Sequence, residues 1–341
     1  MCGIVGIINF DEQPVQKKDL IKFRDSLIHR GPDGEGIYLS KDNSIGLGHR
    51  RLKILDLSSD ATQPMNYSNE RYWIVYNGEI YNFLEIRKEL ESLNFRFKTN
   101  SDTEVILAAF MHWGDKCQHK FNGMWAFAIL DNIKKTIFLS RDRFGVKPLY
   151  FIHEDNKLIF ASELKSFMHL PENMIPEFNL NTLASLGKNI KSTILKTVKQ
   201  LKPGSQAIFS NNGDVKHKKW WNTLNNTKKL KSSYGEQVEH FKYLFNDSCK
   251  IRMRSDVPIC SSLSGGLDSS AVVSMMNKIR NESRNYERQH KNNQSAFICD
   301  FIGSSDYKVY SERKYADQVI DFTGASPFHI NFELESVSSD E

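Results

Sequence analysis

The sequence carries no metal-binding spacing. Its five cysteines (Cys2, Cys117, Cys249, Cys260 and Cys299) form no CxxC pair, and its ten histidines no HExxH. An odd cysteine count argues against a disulfide framework, and the missing ligand spacings argue against a zinc site, so no metal centre is expected. No apolar run approaches the roughly 18–20 residues that cross a bilayer. The apolar first ten residues have no basic leader and run straight into Asp11-Glu12, unlike a secretory signal. These absences predict a cytoplasmic protein with no membrane partner, in a reducing compartment where thiols stay free. Charge of one sign is also scarce: 46 Lys and Arg oppose 41 Asp and Glu, interleaved over most of the length. Without a basic helix or an aromatic-basic platform, nucleic acid is not expected as a partner. No internal repeat is visible.

What is present fits two domains. A chain of 341 residues, 40% apolar and 26% charged, has the length and composition for two buried cores. Short apolar runs dominate the first two hundred residues: "GIVGIINF", "IGLGHRRLKILD", "RYWIVYNGEI", "GMWAFAILD", "TIFLSRD", "LYFIHED" and "KLIFASE" read as strands. Helices are fewer. Leu20, Phe23, Leu27 and Ile28 share one face ahead of "HRGPDG". Asn82 and Glu85 signal a cap before Phe83, Ile86, Leu90 and Leu93. Ser101 and Glu104 do the same before Val105, Ile106, Ala109, Phe110 and Trp113, with Gly114 as the stop. Many strands and few helices predict an α+β domain of packed, mostly antiparallel sheets over residues 1–210.

From about Asn189 to Lys231 the chain turns polar and lysine-rich, predicting the outgoing edge of that domain and a linker over 211–231. Ser233 and Glu236 then cap a helix carrying Val238, Phe241, Phe245 and Cys249. A strand "VPICSSL", the loop "SGGLDSS" and a helix from about Ser269 to Ile279 follow. Beyond a polar loop come a strand "SAFICDFI", a helix "SERKYADQVIDFTG" and a strand "PFHINFE". This β-α-β-α-β order over 232–341 predicts the start of an α/β doubly wound parallel sheet.

The opening "MCGIVGII" places a thiol at position 2. The plain reading of Cys2 is a small buried hydrophobe at the start of a strand. The alternative is that Met1 is trimmed, which leaves Cys2 with a free α-amine. A thiol with a pKa near 8.5 is a poor nucleophile until its proton is taken, and an amine near 7.7–8.0 is a base poised close to neutrality. Thiolate attack on an amide creates an oxyanion that needs preorganised donors. "YNGEIYN" offers the Asn77 side-chain amide and the backbone N–H of Gly78, although Asn-Gly by itself is more often a hairpin turn. An amino-acid substrate also brings a carboxylate, for which Arg50 or Arg51 supplies a bidentate grip, and an ammonium, for which Glu79 or Asp102 supplies a carboxylate. The bland role of Asp102 is to favour the dipole of its helix.

Together "MCGIVGI", "HRGPDG", "GHRRL", "YNGEIYN", "SDTEVI", "FNGMWAFAI" and "RDRFGVKPLY" resemble, in order, the class II N-terminal-nucleophile glutamine amidotransferase domain, as found in glutamine-hydrolysing asparagine synthetases. The resemblance implies an αββα sandwich of the N-terminal-nucleophile hydrolase type in which Cys2 attacks the glutamine side-chain amide. It implies Asn77 and Gly78 as oxyanion donors, Arg51 on the glutamine carboxylate with the backbone at Ile54 and Leu55 nearby, and Glu79 and Asp102 on the ammonium. Arg30, in "IHRGPDG", receives no role.

"SGGLDSS" has its own logic. Ser264, Gly265 and Gly266 can turn N–H groups toward a phosphate, the helix behind adds its positive end, and Ser269 and Ser270 add hydroxyls around Leu267 and Asp268. No Lys follows the glycines, so the loop is not of the Walker A type. It resembles the pyrophosphate-binding loop of the ATP pyrophosphatase family. That likeness implies ATP with Mg²⁺, AMP-forming activation of an acceptor carboxylate, and Leu263 and Cys299 near the nucleotide. With aspartate as acceptor and ammonia from Cys2, the product is asparagine. Synthetases of this kind continue for a couple of hundred residues with a second acidic and Gly/Ser-rich motif, which does not occur before "ESVSSDE". The expectation is therefore a C-terminally shortened synthetase half, completed by a partner or in a homodimer. Two rival readings are a stand-alone glutaminase, or an amidotransferase for another acceptor, and an inactive fragment that binds glutamine or a nucleotide.

Overall fold

Strand β1 (Gly3–Asn9) is buried along its whole length. Ile4 and Ile8 point to one face and Val5 and Ile7 to the other, as a period of two requires. It sits inside a sheet and separates two cores. The computed structural model describes residues 1–154, 156–179, 182, 193–227, 229–231, 233–282, 288, 294–302 and 312–333. The chain divides into two compact units, Met1–Thr227 and Lys228–Glu341.

In the first unit β1 pairs with β3 (Ile45–Arg51) and β9 (Lys157–Ala161). With β2 (Gly34–Leu39), β8 (Tyr150–Glu154) and β10 (Lys199–Gln200) these form a sheet ordered β10-β8-β9-β1-β3-β2. The second sheet runs β12-β11-β7-β6-β5-β4, from β4 (Met65–Tyr67), β5 (Tyr72–Ile80), β6 (Gly123–Asp131), β7 (Thr136–Arg141), β11 (Ser205–Phe209) and β12 (Val215–Lys219). All pairings within these two sheets are antiparallel. The sheets face each other through Ile4, Ile8, Leu47, Val75, Ala126, Ala128 and Leu139.

Helix α1 (Lys17–Asp25) lies on the outer face of the first sheet, with Leu20 and Phe23 packed on Val5, Ile7 and Ile159. Helices α2 (Phe83–Ser92) and α3 (Asp102–Trp113) cover the second sheet through Phe83, Ile86, Leu90, Val105 and Ile106. The result is the expected αββα sandwich. Each fully buried large side chain in these layers contributes about 1.5–3 kcal/mol.

Four local expectations change. Ile28 and Leu93 are 54% and 44% exposed, because α1 stops at Asp25 and Leu93 lies beyond the last turn of α2. The Asn82 side chain does not cap α2; it bridges to the backbone of Lys120 and Asn122. Glu104 reaches back past Ser101 to the N–H groups of Lys98 and Thr99. The stretch expected as a linker over 211–231 contains β12, the edge strand of the second sheet.

The second unit holds α4 (Tyr234–Arg252), with the full Ser233–Glu236 capping box, β13 (Cys260–Ser262), α5 (Leu267–Glu282), β14 (Ser295–Ile302), α6 (Arg313–Thr323) and β15 (Ser326–Glu333). The three strands are parallel in the order β13-β14-β15. Ala296 and Ile298 pack against Val273 and Ala316 of the helices, and the other face carries the stacked pair Phe297 and Phe328, 5.2 Å apart and exposed. Helix α5 begins two residues before the expected Ser269. The expected start of α6 at Ser311, the polar loop at 283–287 and the terminal "ESVSSDE" lie outside the described residues.

Candidate active site

Cys2 stands one residue ahead of β1 and lines a cavity of about 110 Å³. Arg51, Ile54, Leu55, Asn77, Gly78, Glu79 and Asp102 line the same cavity, so every glutaminase residue expected from the sequence meets there. Adjacent strands bring them together. Gly3 is in register with Arg50 across β1 and β3, and the chain between β3 and α3 wraps the far wall.

The Cys2 sulfur accepts from the Leu52 N–H at 3.4 Å and faces the Leu52 carbonyl at 3.7 Å. Its carbonyl accepts from Arg30 Nε at 2.9 Å. The Asn77 amide satisfies its neighbours when Nδ2 donates to that same carbonyl (3.1 Å) and Oδ1 accepts from Arg30 (3.3 Å). Arg30 thus holds the backbone of Cys2 and the oxyanion candidate at once, a connection that the sequence did not disclose. Burial pushes the Cys2 thiol above its ordinary value, and the Leu52 N–H and Arg51 pull the other way. Met1 lies over the cavity, its sulfur 2.9 Å from Lys147 Nζ.

Alternation along β3 separates the two arginines. Arg50 turns to α1, pairing with Asp25 at 2.6 Å and Glu35 at 2.8 Å. Arg51 turns to the cavity and donates to the carbonyls of Ser58 (2.8 Å), Leu55 (3.3 Å) and Asp56. These fix the plane of its guanidinium, and the Ile54–Leu55 backbone lies beside it as expected.

Strand β5 extends beyond β4, and there its even-numbered N–H groups leave the ladder. That of Tyr76 donates to Gln63 Oε1 (2.7 Å) and that of Ile80 to Asp102 Oδ2 (2.9 Å). Gly78 lies between them on the same edge, since its ladder neighbour Trp125 gives both its N–H and its carbonyl to Asp142. Its N–H therefore faces the cavity. A Cβ at position 78 would stand 2.3 Å from the Met124 carbonyl oxygen, which is why a glycine occupies it. The Tyr76 hydroxyl donates to Asp102 at 2.8 Å, and buried His49 reaches the Tyr76 carbonyl at 3.1 Å through Nε2. Burial holds His49 neutral, its pKa lowered to about 3.

Glu79 and Asp102 form a carboxylate pair in a half-dry setting. Burial, then the Asp102 charge, raises Glu79 to about 8. Burial raises Asp102 also, against the opposing hydrogen bonds from Ile80 and Tyr76. A cationic group placed between them would hold both ionised. Asp102 also begins α3, as its bland reading required.

In the second unit Leu263 turns into the core, its N–H bonded to the Phe297 carbonyl at 2.8 Å. Gly265 adopts φ +94°, and a Cβ there would stand 2.4 Å from the Glu312 carbonyl oxygen. Ser264 and Ser269 close the loop through their hydroxyls at 3.1 Å, and the Ser269 hydroxyl also donates to the Gly266 carbonyl. Leu267 and Asp268 open α5, Ser270 bonds back to Gly266, and Cys299 is exposed on β14. A small loop of this kind at the head of a sixteen-residue helix suits a phosphate. Among the described residues no three His, Cys, Asp or Glu gather as a metal cage, and no helix is long and apolar enough to cross a membrane. Mg²⁺ in nucleotide sites needs only one or two carboxylates besides phosphates and water; Asp268 opens the helix here and Glu312 packs against Gly265 and Gly266.

An αββα sandwich with a thiol at the head of its first strand defines the N-terminal-nucleophile class of amidotransferase fold. Residues 1–221 match the family model of the glutamine amidotransferase domain and residues 240–338 that of asparagine synthase; the chain belongs to the glutamine amidotransferase domain family, with an asparagine synthase module behind it. It is 39% identical over 280 residues to asparagine synthetase [glutamine-hydrolyzing] 1 of Bacillus subtilis, covering 81% of this chain and 44% of that protein. It is 38% identical over 359 residues to putative asparagine synthetase [glutamine-hydrolyzing] 2 of Methanocaldococcus jannaschii, covering 98% and 65%. The chain thus spans roughly half the length of such relatives. The solved structure titled as the allosteric regulatory enzyme of purine biosynthesis shares the fold, with a TM-score of 0.50 at 14% identity over 100% of this chain and 93% of that one.

Proposed function

We propose that the first unit hydrolyses glutamine and that the second uses the ammonia to amidate an ATP-activated carboxylate, with aspartate as acceptor and asparagine as product. The observation that carries this reading is the convergence of Cys2, Arg51, Asn77, Gly78, Glu79 and Asp102 on one cavity. After removal of Met1, the freed amine of Cys2 takes the thiol proton through a bridging water. The sulfur attacks the side-chain carboxamide carbon, and the oxyanion is met by Asn77 Nδ2 and the Gly78 N–H. The amine returns the proton to the leaving nitrogen, ammonia departs, and water hydrolyses the thioester to glutamate. Arg51 grips the substrate carboxylate, and Glu79 with Asp102 receives its ammonium.

In the second unit Ser264 to Ser270 would hold the ATP phosphates, with Mg²⁺ carried on them. Acceptor carboxylate and ATP give an acyl-adenylate and pyrophosphate; ammonia then displaces AMP. The test is ammonia release from glutamine by protein whose intact mass shows Met1 removed. Cys2→Ala is expected to lower it on the order of 10³-fold or more. Glutamine binding without turnover in the unmutated protein overturns the glutaminase step, and a second unit that ATP with Mg²⁺ does not stabilise overturns the nucleotide-binding step.

A further inference from the structure

Lys147 is 4% exposed, yet among the described residues its ammonium donates to no carboxylate or carbonyl; its one hydrogen-bond contact is the sulfur of Met1 at 2.9 Å. A buried ammonium that no carboxylate bonds directly is costly and needs a compensating purpose, even with Glu79 and Asp142 in range of its charge. The chain invests heavily in placing it. The Asp142 carboxylate accepts from the N–H groups of Trp125, Phe144, Val146 and Lys147, all within 3.0–3.2 Å. The Arg141 guanidinium donates to the carbonyls of Lys147 (2.7 Å), Gly145 (2.7 Å) and Leu201 (2.6 Å). Gly145 permits the turn at φ +68°, and the Lys147 side chain ends in the Cys2 cavity. This is how a protein fixes a functional group rather than how it fills a core.

We propose that Lys147 is a positioning residue of the glutaminase site, a clamped ammonium that acts through Cys2 by favouring the deprotonated forms of its thiol and amine. The inference rests on the glutaminase reading above. The charged groups facing Cys2 and the chain start are Arg30 and Asp33 from the loop before β2, Arg51 on β3, Asp102 on α3 and Lys147 itself; Glu79 on β5 and Asp142 also face the ammonium. Arg30 already donates to the Cys2 carbonyl and Glu163, and Arg51 to three carbonyls. Lys147 is the cation with no such commitment. Nearby positive charge lowers the proton affinity of thiol and amine together, so a single lysine serves both steps.

The test is the pH dependence of Cys2 alkylation by iodoacetamide on the Met1-free protein, with ammonia release measured in parallel. Lys147→Met should raise the alkylation midpoint by about one unit, an about tenfold slower reaction at pH 7, and Lys147→Arg should restore most of it. Lys147→Gln gives the same reading if the methionine variant does not fold. An unmoved midpoint in either uncharged variant overturns the inference even where ammonia release persists. A moved midpoint in a protein that never releases ammonia upholds it and fails the glutaminase reading instead.

Discussion

Glu79 is the residue whose charge depends most on what binds beside it. Its folded pKa, about 8, exceeds the ordinary carboxyl value, so the folded protein holds a proton there that the unfolded chain has lost. The sign follows: Glu79 costs no stability below the ordinary value near 4.3, and the cost grows as pH rises toward about 8. Substrate binding has the opposite slope. An ammonium between Glu79 and Asp102 favours the ionised form, so glutamine must displace a proton below pH 8. Glutamine KM is expected to rise as pH falls from 8 to 6, by up to about tenfold per unit, and to flatten in Glu79→Gln. Calorimetry in buffers of different ionisation enthalpy should show proton release on binding; a flat KM profile in the unmutated protein would sink the assignment. At this scale the sequence was informative where chemistry dictates residue type, as with Cys2 and Arg51. Residue type alone left Arg50 and Arg51 open and only the family resemblance chose Arg51, because the pairing of β3 with its neighbours decides which one faces the cavity. Arg30 and Lys147 were not legible either: their roles arise from loops that approach Cys2 only in the folded chain.

Among the elements, β5 concentrates the function because it is only partly paired. Asn77 and Glu79 stay in the ladder to β6, while Tyr76, Gly78 and Ile80 turn their N–H groups to the free edge. Amide hydrogen exchange should therefore alternate, with Gly78 exchanging on the order of tenfold or more faster than Asn77 and Glu79. An adduct on Cys2 that carries an oxyanion mimic should slow Gly78 selectively. Equal protection along the strand would place the Gly78 N–H in a bond and remove it as an oxyanion donor. Most elements could be read from period and caps, since buried strands such as β1 are continuous apolar runs and α3 combines Ser101 with a core-facing stripe. Strand β12 could not. "VKHKK" looked like a solvated connector because lysines line it, yet lysine on an exposed edge is how a sheet avoids pairing with other chains. Asn82 misled for a related reason: the cap signal is local, and the loop at Lys120–Asn122 claimed its side chain first.

For the molecule as a whole, the division at Thr227 and Lys228 gives each ligand its own unit to act on. The three inner and outer cores of the first unit draw only on residues before that division, and the two cores of the second only on residues after it. Thermal unfolding is therefore expected to show two transitions. A ligand that binds only the folded form adds RT ln(1 + [L]/Kd), about 2.7 kcal/mol at a hundredfold excess over Kd. For a unit as small as the second, that corresponds to a shift on the order of 10 °C. ATP with Mg²⁺ should raise one transition by this amount and leave the other in place, and a covalent glutamine analogue on Cys2 should do the reverse. Gly265→Ala, which sets a Cβ against the Glu312 backbone in a left-handed conformation, should abolish the ATP effect without touching the analogue's. A single transition that both ligands raise equally would mean that the two units unfold as one cooperative body. The ammonia-producing and ammonia-using steps would then share their stability as well as their chain.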